Sequence, residues 1–196
     1  MLAVLESPRN NGAETLASTP KAITNGHQNC PAPSKSHLRI RLARANEASA
    51  IAEFTNAISP GRDHFLPATF GNATGVEWLM KRGKFLLAED EKQIIGCAYL
   101  EPHFEASRLA LLAVTPRQQR AGIGSQLLEA AERMSSSMQC LFMHLRVMNL
   151  HWEIIRFCQR RGYLEFGIES LNGNEPISLH CHFVRMFKQL KPDYAF

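Results

Sequence analysis

The stretch Val114-Thr115-Pro116-Arg117-Gln118-Gln119-Arg120-Ala121-Gly122-Ile123-Gly124 has the composition of an anion cradle. Glycines let the main chain approach a ligand closely, and the first turn of a helix leaves N–H groups without partners while its dipole favours negative charge. Arg117 and Arg120 would add charge-assisted contacts to the same anion. A plainer reading stands beside this one, in which Gly122 and Gly124 only permit a tight turn from strand to helix. The common nucleotide motifs do not fit, because no third glycine completes G-x-G-x-x-G and no Gly-Lys-Ser/Thr completes a P-loop. A second short basic cluster, Arg156 with Arg160 and Arg161, suits a polyphosphate better than a nucleic acid.

These residues must be positioned by the elements around them. Leu38, Ile40 and Leu42 alternate with arginines and predict a half-buried strand. Asn46 is expected to cap a helix with Ile51, Phe54, Thr55 and Ile58 on one face, ended by Ser59, Pro60 and Gly61. After a loop over 62–75, Val76, Leu79 and Met80 mark a short helix. Residues 84–89 and 93–100 read as a hairpin, with Pro102 closing its second strand. A strand over 109–114 then leads through Pro116 and the glycines into a helix carrying Ile123, Leu127, Leu128 and Ala131 on one side. A strand over 141–148, a helix carrying Trp152 and Ile155 and stopped by Gly162, and strands over 163–168 and 177–187 complete the order. The last two strands are separated by an Asn172-Gly173-Asn174 loop.

The chain has 196 residues, 45% of them apolar, enough for one ordinary core. Residues 1–37 are rich in Ser, Pro, Asn, Thr and Gly and cannot repay the entropy of ordering, so they are expected to form a disordered arm before a domain over 38–196. The net charge of +4 is mild. No apolar run reaches the ~20 residues of a spanning helix, and the opening residues lack a basic start, so neither a membrane partner nor a secretory signal is expected. Cys30, Cys97, Cys140, Cys158 and Cys181 show no C-x-x-C pair and no metal-ligand spacing with histidine. The expectation is a cytoplasmic protein without a metal site.

Gln119-x-x-Gly122-x-Gly124 is similar to the Q/R-x-x-G-x-G/A signature of the GNAT superfamily, and Leu112-Ala113-Val114-Thr115-Pro116 resembles the strand that precedes it there. A second stretch, Asn149 followed by a helix ending in Arg160-Arg161-Gly162-Tyr163, resembles the family's second block. The resemblance implies an α/β (α+β) GNAT fold, a central mixed, mostly antiparallel sheet of about seven strands with helices on both faces. It implies an acetyl-CoA-dependent N-acetyltransferase that transfers the acetyl group directly to a primary amine of a small molecule or peptide, as monomer or homodimer. The alternative is a catalytically weak acyl-CoA-binding sensor, because one fold hosts many functions.

Carried over residue by residue, the resemblance gives Leu112, Ala113 and Val114 to a splayed strand along which pantetheine lies. The N–H of Leu112 would stabilise the oxyanion. Gln119, Arg120, Ala121, Gly122, Ile123, Gly124 and Ser125 would surround the pyrophosphate, with Asn149 and Phe157 near the cofactor. Asn149 also reads as a turn or helix cap, and Phe157 as a core aromatic. Relatives place a tyrosine acid where this chain has Cys158, a weaker donor that also reads as packing. Arg108 stands where protein-lysine acetyltransferases carry a glutamate base. Glu101, His103 and Glu105 remain as candidates for a direct or water-relayed base, or as ordinary solvated residues. The acceptor is expected between the first two helices, the loop holding Arg62, Asp63, His64 and Phe65, and the region 167–177.

Overall fold

The computed structural model describes residues 38–58, 68–170 and 180–191. The arm over 1–37, the Arg62-Asp63-His64-Phe65 loop and the Asn172-Gly173-Asn174 loop lie outside the described residues.

The sheet contains β1 (Arg39–Leu42), β2 (Lys84–Asp90), β3 (Gln93–His103), β4 (Ala106–Val114), β5 (Phe142–Met148), β6 (Leu164–Glu169) and β7 (Phe183–Gln189). Their order is β1-β2-β3-β4-β5-β7-β6, and every neighbouring pair is antiparallel except β4 with β5. The helices are α1 (Ala48–Ile58), α2 (Ala73–Arg82), α3 (Ile123–Ser137) and α4 (Trp152–Arg160). This is the expected seven-stranded mixed sheet.

Two cores follow from the period-two alternation of the strands. On one face Leu86, Ala98, Leu100, Leu112 and Val114 meet Leu127, Leu128 and Ala131 of α3 and Cys158 of α4. On the other, Phe85, Leu87, Cys97 and Tyr99 meet Ile51, Phe54 and Ile58 of α1 and Val76 and Leu79 of α2. Gly96 makes the first core tight, since a Cβ there would stand 2.8 Å from Leu127 Cδ1. Leu127 is fully buried, and truncating such a side chain to alanine typically costs about 2–5 kcal/mol. The α1–α2 pair is held by the Thr55 hydroxyl, which donates to the Phe70 carbonyl at 2.6 Å.

Three local expectations change. Asn46 does not cap α1; it lies inside a 3-10 turn, Ala45–Glu47, where Glu47 Oε2 accepts the Arg44 N–H at 2.6 Å. An acidic side chain reaching back to open N–H groups satisfies the same need that an Asn cap would. Pro102 does not end its strand, which continues to His103. β2 stops at Lys84 opposite Leu100, so beyond that point β3 has a neighbour on one side only, where a residue lacking an N–H is tolerated. Lastly, β7 begins at Phe183 rather than at 177, and residues 180–182 are not strand.

Candidate active site

The central feature is a parting of two strands. β4 and β5 pair only from Ala106 opposite Phe142 to Arg108 opposite His144. On its other side β4 carries one extra residue: Tyr99 faces Leu111 while Leu100 faces Leu109, which leaves Ala110 as a bulge. A bulge bends its strand and increases local twist, and this one sits where β4 leaves β5.

The phase of the β3–β4 ladder decides what the parted strand offers. The Thr115 N–H donates to the Ile95 carbonyl at 2.9 Å. Bonded and non-bonded pairs alternate along an antiparallel ladder, so Ala113 and Leu111 bond to β3. Leu112 and Val114 therefore turn their main-chain N–H and C=O groups toward the gap. Gln119 Nε2 meets the Val114 carbonyl at 3.3 Å, which ties the following turn to the strand.

That turn runs through a 3-10 segment, Pro116–Gln118, then Arg120 at φ 67° and Gly122 at φ 84°, and opens α3. The left-handed φ of Gly122 is one that L side chains adopt at a cost of roughly 1–2 kcal/mol, and glycine adopts freely. No side chain caps α3. The N–H groups of its first turn are thus open and carry the positive end of the helix dipole.

Strand, turn and α4 enclose a cavity of about 440 Å³. Leu112 and Val114 form its floor, and Gln119, Arg120, Gly122, Gly124 and Ser125 one rim. The opposite rim is one face of α4, with Trp152, Glu153, Arg156, Phe157 and Arg160. Arg156 Cζ lies 5.0 Å from the Trp152 ring centre, and the exposed indole makes a flat apolar surface at the mouth. The site is basic at both rims and apolar at its floor, which fits a ligand with phosphates at one end and a thin uncharged tail.

A family model for the acetyltransferase (GNAT) domain matches residues 81–165, the span that holds the bulged strand, the turn and α4. Over that span the chain is similar to the GNAT acetyltransferase domain. Amino-acid acetyltransferase of Pseudomonas putida is 37% identical over 92 residues, covering 45% of this chain and 20% of that protein. The chain thus spans about a fifth of the length of the curated relatives it matches. Among solved structures, ribosomal-protein-alanine N-acetyltransferase from Brucella melitensis superposes with a TM-score of 0.65 at 20% identity, covering 78% of this chain and 99% of that one. A GNAT-family acetyltransferase from Elizabethkingia anophelis with acetyl-CoA bound gives 0.58 at 20%, covering 80% and 100%.

Within the matched span the expected site residues fall into two groups. Leu112, Val114, Gln119, Arg120, Gly122, Gly124, Ser125 and Phe157 line the cavity. Ala113, Ala121, Ile123 and Asn149 do not. Ala113 points its side chain into the core under α1 and α2, and Ile123 is buried beneath the turn. Asn149 is not a cap for α4, which begins after His151. Its Oδ1 accepts the His182 N–H at 3.0 Å and its Nδ2 donates to the His180 carbonyl at 3.3 Å, which ties the end of β5 to the chain entering β7.

The candidate acid and base are held away from the cavity. Cys158 has no exposed surface and packs with Ile154 on the inner side of α4, where burial pushes its thiol up to about 12. Glu101 is buried between Arg82, at 2.9 Å, and Arg108. Burial alone would raise its carboxyl, but the hydrogen bonds from Arg108 and Arg82 outweigh that and hold it below the usual range. His103 Nε2 lies 3.6 Å from Glu101, with its side chain half exposed, and Glu105 is exposed.

Arg156 and Arg160, legible as a basic cluster, both reach the cavity, whereas Arg161 sits 5.6 Å over the Phe157 ring. Trp152, Glu153 and Ile154 were missed as lining residues. The signal was present, because 153, 156, 157 and 160 follow the i, i+3, i+4, i+7 spacing of one helix face. Among the described residues no His, Cys, Asp or Glu cluster has the arrangement of a metal site.

Proposed function

We propose that the protein is an N-acetyltransferase that takes an acetyl group from acetyl-CoA and passes it directly to a primary amine of a small molecule or an exposed protein amine. The observation that carries this reading is the joint opening of one strand and one helix end. The N–H and C=O groups of Leu112 and the N–H of Val114 face a gap, and the uncapped first turn of α3 lies at its end.

In this reading the first-turn N–H groups from Ile123 to Ser125, with Arg120, hold the pyrophosphate. Arg156 and Arg160 compensate charge at the far rim. The main chain of Leu112 and Val114 pairs with the amides of the pantetheine arm as an added strand would. The Leu112 N–H stabilises the negative charge that develops on the thioester oxygen, worth about 3–4 kcal/mol for a well-placed donor. With Cys158 buried and Glu101 locked in ion pairs, the amine proton and the proton that reaches the departing thiolate are exchanged with water.

The acetyl-CoA bound to the Elizabethkingia neighbour supports the choice of cosubstrate. The Pseudomonas and Brucella proteins, named for an amino acid and a ribosomal protein, support an amine acceptor of either size. A cytoplasmic setting is supported by free thiols at Cys97, Cys140, Cys158 and Cys181. The withdrawal of both candidate proton carriers favours a second reading, an acyl-CoA sensor with weak turnover. Calorimetry with acetyl-CoA, followed by acetyl transfer across a panel of amines, decides between them. Tight binding with turnover supports the enzyme, tight binding without turnover the sensor, and no binding removes both.

A further inference from the structure

On the sheet face opposite the cavity, α1 and α2 cover β2, β3 and β4, while the next three strands present a half-open surface. Register places Phe142, His144 and Arg146 of β5 on that surface, with Arg185 and Phe187 of β7 beside them. Phe166 of β6 completes it, with its ring 5.6 Å from both His144 and Phe187. Arg108 of β4 joins from the other side, since it faces His144 at the last pair before the strands part. The gap between β4 and β5 is thus bordered by the cavity on one face and by this arginine and aromatic surface on the other.

Among the described residues four guanidinium groups stand here against two carboxylates. Arg82 and Arg108 share Glu101, and Arg146 pairs with Glu169. Arg185 has no carboxylate within 4 Å among the described residues; its Cζ rests 4.4 Å from the Phe166 ring centre. Arg146 and Arg185 are direct cross-strand partners, an unfavourable arrangement of like charges in which Glu169 compensates Arg146 and leaves Arg185 the uncompensated one. The Nε atoms of Arg108 and of Arg146 are buried with no hydrogen-bond acceptor among the described residues. A buried donor left unmade is costly, so an added acceptor beside either guanidinium group would be stabilising. Guanidinium forks match carboxylate geometry, and a guanidinium stacked on a ring keeps its N–H edge available.

We infer that the acceptor is an amine that also carries a carboxylate and an apolar body, held by Arg108, Arg146 and Arg185 against Phe166 and Phe187 on the face opposite the cofactor cavity. The inference rests on the acetyl-transfer reading above. Arg146 lies two residues beyond His144, and Leu112 four residues beyond Arg108, so along the strands the two sites differ by on the order of 7 Å. That span suits a small amino acid, whose amine reaches the gap while its carboxylate stays among the arginines.

The test uses the full chain with acetyl-CoA, the protein amino acids, their amides and their decarboxylated amines. At least one apolar amino acid is expected to be acetylated with kcat/KM about 100-fold or more above its amide and amine, as a site built around a charged partner discriminates. Arg185→Gln, at an exposed position, should raise KM for that acid about tenfold or more, as loss of a charge-assisted pair does, and leave the acetyl-CoA Kd unchanged. Arg146→Gln should act in the same direction. Equal kcat/KM for acids and amides, or unchanged KM in both variants, overturns the carboxylate clamp while the acetyl-transfer reading stands. Failure of the unmodified protein to bind acetyl-CoA removes that reading and this inference together, so the two failures are told apart by calorimetry.

Discussion

Gln119 and Val114 are joined by a side-chain to main-chain hydrogen bond, the amide Nε2 donating to the carbonyl at 3.3 Å. The contact fastens the glycine turn to the end of the parted strand. It also occupies the Val114 carbonyl, leaving the N–H groups of the strand to a ligand.

Replacing Gln119 with leucine keeps the bulk and removes this donor. The turn should loosen while the sheet stays intact. The expected outcome is a rise of about tenfold in the acetyl-CoA Kd, the worth of roughly one net hydrogen bond. Calorimetry measures the affinity and the thermal midpoint; an unchanged Kd would show that the turn is held in other ways.

Gly124→Glu tests the cradle directly. A Cβ at this position meets only Val114 Cγ2, at 3.8 Å, so the side chain fits the unliganded protein. A carboxylate in the first turn of α3 is even favourable to the helix, by about 0.3–1 kcal/mol. The variant should therefore fold at least as well as the parent and yet lose acetyl-CoA binding, because bulk and negative charge stand where phosphates belong. Circular dichroism and calorimetry on the same sample read both halves.

Cys158→Ala should lower turnover by less than about tenfold, since a fully buried thiol with its pKa pushed up to about 12 stays protonated and out of reach of substrate. Among the described cysteines a thiol reagent should modify the partly exposed Cys181 and spare Cys158 in the native protein. A loss of several hundredfold in kcat would mean that the thiol enters the reaction.

Arg41 links Glu47 at 2.5 Å with Glu89, joining β1, the start of α1 and β2. The hydrogen bond from Arg41 is the main cause that lowers the Glu47 carboxyl from 4.5 to about 2. A carboxyl with a depressed folded pKa stabilises the fold at pH values above its unfolded pKa, and the contribution disappears as pH falls through the folded value. Glu47→Gln should therefore destabilise by on the order of 1–2 kcal/mol at neutral pH. The difference from the parent should shrink between pH 4.5 and about 2, as urea denaturation across that range would show. A constant difference would place the effect in packing and not in charge.

The elements of this chain were legible because their causes are local. Alternation over 38–42, the β-rich runs over 84–89 and 93–100, the polar break between them and the glycine opening of α3 each act within one turn or one strand. Errors arose where a neighbour decided. Pro102 continues a strand only because β2 has already ended opposite Leu100. Asn46 is displaced as a cap by Glu47, which is held in place by Arg41 from another element.

The sequence by itself determined the glycine turn, because glycine conformation, an uncapped helix start and two nearby arginine clusters are properties of short segments read in order. Tertiary structure alone decided which side chains face it. Packing of Ile154 and Cys158 onto the core fixes the rotation of α4, which sends Arg156 and Arg160 to the cavity and the thiol inward. The bulge at Ala110 parts β4 from β5, and the order β5-β7-β6 sets Arg146 beside Arg185 on the far face. Such juxtapositions come from register between strands distant in the chain, and no local pattern encodes them.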